Sequence, residues 1–121
     1  MTKPLTVQPE TFTNLPLAQE ATALLSSLID GTSGHSAKTL VKSPNLTLVL
    51  MALREGEQLA EHTAPSAALV MAIQGSLRIT HGEGGHDIAS AGGDAVLMGP
   101  GLRHAVAAHT DCVLLLAIGA H

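Results

Sequence analysis

Two stretches decide how this chain folds: REGEQLAEHTAPSAALVMAIQGSLRI, residues 54–79, and AGGDAVLMGPGLRHAVAA, residues 91–108. Each joins an apolar run to glycines at turn positions and carries a single histidine, His62 in the first and His104 in the second. Gly75 and Gly93 stand at turns suited to a positive φ, a conformation that a side chain opposes. Asp94 after Gly93 is a common turn partner, and Gly99-Pro100-Gly101 makes a tight reversal that sends the next strand back on the last.

Working outward, the strand-like pattern continues on both sides. Apolar runs fall at residues 37–42, 46–54, 67–74, 76–80, 86–89, 94–98, 104–108 and 112–118. Turn signals separate them: Ser43-Pro44-Asn45, Glu55-Gly56, Gln74-Gly75, Gly82 to Gly85, Ala91 to Gly93 and Gly99 to Gly101. Many short strands with no helical segment between them predict an antiparallel sandwich or barrel. Upstream the pattern changes. Residues 1–13 are polar, carry Pro4 and Pro9, and read as an extended arm. Leu17, Ala21, Leu24, Leu25 and Leu28 then recur along one helical face. They predict a helix over residues 15–29, with Asn14 as its cap, Pro16 in its first turn and Gly31 at its end. The expected organisation is an arm and helix over residues 1–36, packed on a barrel over residues 37–121.

Residues 46–53 and 67–73 are apolar at almost every position, whereas a strand with one wet face alternates. Something must cover their outer side. The candidates are the N-terminal helix and a second subunit, and the second predicts a homodimer.

Composition narrows the function. A chain of 121 residues, 45% hydrophobic and 13% charged, is one domain with enough apolar surface to fold. The net charge is -4, and Lys3, Lys38, Lys42, Arg54, Arg78 and Arg103 are scattered, so nucleic acid is not an expected partner. Phe12 is the sole aromatic residue, which also argues against base stacking. Cys112 is the single cysteine, which leaves no internal disulfide and no zinc ribbon; its apolar surroundings predict a small core residue. The N-terminus lacks the apolar core of a signal peptide. No apolar stretch reaches the ~20 residues of a membrane span. The expectation is a soluble, cytoplasmic protein that does not engage membranes.

Seven histidines are present, and none has the spacing of a zincin helix. His35 lies in a Gly/Ser loop, His81 and His86 flank the glycine-rich turn, His109 sits in a polar turn and His121 is last. All five are expected to be solvated surface residues.

His62 and His104 differ, because the two stretches around them resemble the paired motifs of the cupin superfamily. The first motif runs from a glycine through five residues to His-x-His, then a glutamate, then a glycine. Gly56, His62 and Gly75 match it, with five residues between Gly56 and His62. The second runs from a glycine to Pro-x-Gly-x-x-His and then an asparagine. Gly93, Gly101 and His104 match, while Gly99 stands at the proline and Ala108 at the asparagine. The resemblance spans residues 37–118. It implies an all-β fold, the cupin double-stranded β-helix or jelly-roll barrel, here preceded by a short helix.

The resemblance also implies a metal held by both histidines and the glutamate of the first motif and the histidine of the second. Those positions here are His62, Ala64, Ala68 and His104, so two ligands have become alanine. Catalytic zinc takes three protein ligands, and oxygen-activating non-haem iron takes two histidines and a carboxylate. Glu61 neighbours His62, but successive strand residues face opposite ways. Two neutral imidazoles alone bind Zn, Fe, Mn or Ni weakly; His81 or Glu57 is the candidate third ligand.

The expectation is therefore a small single-domain cupin without a strong metal, binding a small apolar or weakly polar molecule in the lumen. Alanine at positions 64 and 68 opens that lumen, with Val70, Ala72, Val96, Met98 and Val106 supplying an apolar wall. Met51, Met71 and Met98 are also flexible enough to fill it as core. Arg103 is placed to clamp a carboxylate at the mouth. The expected ligand-contacting set is His62, Ala64, Ala68, Met98, Arg103 and His104. His62 and His104 read equally as a hydrogen-bonded polar pair or as acid–base or recognition groups. Two alternatives stay open. One is a metal-dependent dioxygenase or isomerase with a reduced ligand set built on His62 and His104. The other is a non-catalytic, dimeric sensing or interaction module.

Overall fold

Tight glycine corners divide the chain into strands. In the computed structural model, which describes residues 3–120, Gly75 has φ 73° and Gly93 has φ 74°. At Gly75 a β-carbon would also lie 2.3 Å from the Asp111 carbonyl oxygen, so only glycine fits that corner. Between the corners run α1 (Leu17–Ile29), β1 (His35–Ser43), β2 (Leu46–Leu53), β3 (Gln58–His62), β4 (Ala68–Gln74) and β5 (Ser76–His81). They are followed by β6 (Gly84–Ala89), β7 (Ala95–Met98), β8 (His104–Ala108) and β9 (Cys112–Ile118). The expectations for Met1, Thr2 and His121 lie outside the described residues.

The strands form two antiparallel sheets, ordered β1-β2-β9-β4-β7 and β3-β8-β5-β6. This is the expected jelly roll. Inward residues of both sheets, among them Leu53, Val70, Leu77, Ile79, Ile88, Val106 and Leu114, meet in one buried core. Cys112 belongs to it and is fully buried, and the burial pushes its thiol up to about 11. Strand β3 has no counterpart among the expected runs. It exists because it pairs with β8, with Leu59 opposite Val106 and His62 opposite His104.

A second core lies outside the five-stranded sheet. Ala21 and Leu28 of α1 pack on Leu50, Ala52, Val113 and Leu115, which are the outward residues of β2 and β9. Of the two candidates for covering the doubly apolar strands, the helix occupies most of this face. Leu97, 75% exposed, and Leu69, 36% exposed, remain uncovered toward the β7 edge.

The helix differs from expectation at both ends. It begins at Leu17, and Pro16, not Asn14, takes the capping position, with no side-chain hydrogen bond there. At the other end the Gly31 N–H donates to Leu28 O, but Gly31 does not adopt a positive φ. The terminal carbonyls are satisfied from the barrel instead. Arg54, which follows β2, donates from Nη2 to the carbonyls of Leu28 (2.8 Å), Ile29 (2.9 Å) and Gly31 (2.8 Å), and from Nε to Ser33 (3.0 Å). Lys38 on β1 reaches Glu20 of α1 at 2.5 Å. The arm attaches through a parallel bridge between Leu5 and Val41. No helix of the described residues is long and apolar enough to cross a membrane.

Candidate functional site

Antiparallel register brings His62 and His104 opposite each other on β3 and β8. Their rings stack at a tilt of 60°, with centroids 4.2 Å apart. His104 is buried, only 5% exposed, while His62 is exposed on the rim. Each ring is tied to the carbonyl two residues back: His62 Nδ1 to Ala60 O at 2.8 Å, and His104 Nδ1 to Leu102 O at 3.0 Å. A carbonyl can only accept, so Nδ1 carries the proton. In a neutral ring that leaves Nε2 as a bare lone pair.

The sheet continues this row. β5 pairs with β8 next to the histidine rung, and His81 ends β5 on the same face as Leu77 and Ile79. Its Nδ1 donates to the Arg103 carbonyl at 2.7 Å. His86 lies opposite Ile79 on β6 and shares that inward face. The strand order β3-β8-β5-β6 thus lines up His62, His104, His81 and His86 toward one end of one sheet.

Beside His104 lies a chamber of about 200 Å³ between β6 and β7. Ile79, Val96, Met98 and Leu102 give it an apolar wall. His81, His86 and His104 supply imidazoles. No Asp, Glu, Lys or Arg lines it.

The expected ligand-contacting residues divide around this chamber. Met98 and His104 line it. His62 does not, and reaches it only through the ring of His104. Ala68, 2% exposed, is part of the packed core, and Ala64 is half-buried against that core; neither lines the chamber. Ala68 sits opposite Met98 in the β4–β7 ladder. Val70, Ala72 and Val106 are likewise core, whereas Val96 reaches the chamber. Met51 packs against the inner core and Met71 against the outer one. The Arg103 guanidinium pairs with Glu61 at 2.8 Å, with 71% of its side chain exposed. What Arg103 contributes to the site is its carbonyl, which holds His81.

Neither candidate third ligand joins the histidine pair. Glu57 takes the Nδ1 of His35 at 2.9 Å, and His81, although on the same face, is not grouped with His62 and His104 closely enough to share an ion. Among the described residues, no group of three or more His, Cys, Asp or Glu side chains is arranged to hold a metal ion. Two imidazoles, with alanine at the other two positions, do not fit a cupin-type metal centre.

His81 and His86 are exposed, as expected of a glycine-rich turn, but they also line the chamber, which was not expected. The signal that places them was in the sequence. Counting in twos from Leu77 and Ile79 reaches His81, and counting back from Ile88 reaches His86.

No family model matches the chain, and no curated protein matches it. Solved structures do. A cupin superfamily protein from Desulfitobacterium hafniense is 22% identical with a TM-score of 0.71, over 98% of this chain and 97% of that one. A conserved protein of unknown function from Streptococcus pyogenes is 19% identical with a TM-score of 0.67, over 100% of this chain and 96% of that one. Salicylate 1,2-dioxygenase from Pseudoaminobacter salicylatoxidans, solved with gentisate, is 16% identical with a TM-score of 0.69. That match covers 85% of this chain and 31% of the dioxygenase. These likenesses establish the cupin fold.

Proposed function

We propose that this cupin-fold chain is a small-molecule-binding domain that takes its ligand in the chamber beside His104 and works without a tightly held metal. The observation that carries the reading is the chamber of about 200 Å³, apolar on one side and edged by imidazoles on the other. Small-molecule sites have this character: an apolar wall with a few placed polar groups. Alanine at positions 64 and 68 supports the metal-free part, because two neutral imidazoles leave most of an ion's coordination to water.

Two measurements on one preparation test it. The first is elemental analysis of protein purified without chelator or metal-affinity tag, beside a His62→Ala/His104→Ala variant. The expected result is far less than one metal per chain in both. Stoichiometric metal in the native protein that disappears in the variant would overturn the metal-free reading. The second is a thermal-shift screen of small, mostly apolar compounds. A ligand at about a hundred times its Kd adds about 2.7 kcal/mol to the folded state, which a melting curve resolves.

A further inference from the structure

The tautomers of the chamber's histidines define the ligand more closely. His104 and His81 each donate Nδ1–H to a main-chain carbonyl, at 3.0 Å and 2.7 Å. The one polar atom each ring has left is Nε2, an acceptor in the neutral ring. His104 is 5% exposed, and no buried side-chain nitrogen or oxygen among the described residues lacks a hydrogen-bond partner. Among the described residues the Nε2 of His104 has no hydrogen-bond partner, so it is open to solvent, and His104 is one of the residues that line the chamber.

We infer that the chamber selects a neutral ligand that donates a hydrogen bond: an alcohol or phenol built on a ring of about six carbons. This rests on the binding reading above and adds the chemistry of the ligand. The chamber is half-open, and its volume of about 200 Å³ suffices for a six-carbon ring with a substituent, since an enclosed apolar cavity of about 150 Å³ holds benzene. Polarity sets the hydroxyl. An O–H pointed at Nε2 pairs the acceptor, whereas a hydrocarbon leaves it unpaired. A carboxylate fits poorly, because no Lys or Arg lines the chamber and the two carbonyl-tied rings, His81 and His104, offer lone pairs to a negative charge.

The test is calorimetric titration at pH 8 with phenol, benzene and benzoate. Phenol is expected to bind about tenfold tighter than benzene, the effect of one hydrogen bond of ordinary net strength. Benzoate should bind more weakly than phenol. Equal binding of phenol and benzene, or a preference for benzoate, overturns this inference and leaves the binding reading standing. Failure of all three overturns both. His81→Phe and His104→Phe keep a ring and remove the acceptor, so they should bring phenol and benzene closer to equal. Should either variant not fold, nitrogen-15 NMR of the native histidines decides. Phenol should move unprotonated Nε2 signals of His81 and His104, and benzene should not. Protonated Nε2 in the free protein at pH 8 sinks the inference.

Discussion

The two sheets carry opposite surfaces. Behind the five-stranded sheet, α1 buries Leu50, Ala52 and Val113, so β2 and β9 are packed from both sides. Behind the four-stranded sheet, no second layer is formed by the described residues. Its β5 and β8 alternate, with Leu77, Ile79, His104 and Val106 inward and Arg78, Thr80, Ala105 and Ala107 outward. Arg78 lies across Gly85, where a β-carbon would come within 2.6 Å of its Nη2, and pairs with Asp87. The difference separates two tasks. The doubly packed sheet anchors the fold. The singly packed sheet can carry four histidines at its inner rim, because its own packing asks for only one apolar face.

That contrast predicts unequal costs. Leu50 is fully buried between α1 and the sheet, and Leu50→Ala should cost about 4 kcal/mol, since the removed methyl groups leave a cavity in a layer fixed on both sides. Ala107→Ser, on the outer side of the other sheet, should stay within about 0.5 kcal/mol. Urea unfolding reads both. Equal losses would mean that the sheets share the load and would break the comparison.

Next in size is the tie between helix and barrel. Arg54 is half-buried, and its guanidinium serves four carbonyls at the end of α1. Arg54→Ala should cost about 2 kcal/mol, on the scale of hydrogen bonds to a charged donor. Arg54→Lys should recover little of it, because a single ammonium cannot replace a planar fork. Hydrogen exchange sharpens the point: the amides of α1 should lose protection before those of β9. Full rescue by lysine, or unchanged protection in α1, would show that packing alone docks the helix.

How much of this was legible in the sequence follows from which forces are local. The run CVLLLAI gives β9 its observed bounds, because an unbroken apolar stretch must be buried on both faces. Strand β3 was not legible. Gln58, Ala60 and Glu61 make no apolar run, and the strand is defined by its pairing with β8. The helix start was misplaced for a related reason: Asn14 is a good cap by type, but the chain turns into the helix at Pro16 and the other end is held by a distant arginine. In the site, His104 and Met98 could be found from the motif. Ala64 and Ala68 could be found as well, but not the outcome there. A lost side chain leaves a cavity only where neighbours cannot close in, and Ala68 ends 2% exposed opposite Met98. His81 and His86 were hidden by turn composition, although the phase of the flanking strands held them.

The smallest effect belongs to the bare face itself. Asp87 bridges His109 at 2.7 Å and Arg78 at 2.8 Å. The His109 hydrogen bond first, and then that of Arg78, holds its carboxyl below the ordinary carboxylate value. A depressed carboxylate stabilises the folded state above its unfolded-state pKa, and the contribution fades as pH falls through its folded-state pKa. The stability gap between native protein and Asp87→Asn should therefore be constant down to the ordinary carboxylate range and close in stronger acid. Carbon-13 titration of the Asp87 carboxyl checks the cause. His109→Ala should raise its midpoint more than Arg78→Ala does. A gap that widens in acid would have the wrong sign for a paired carboxylate. A large gap at any pH would mean that this solvent-exposed network matters as much as the helix-covered layer, which exposed ion pairs rarely do.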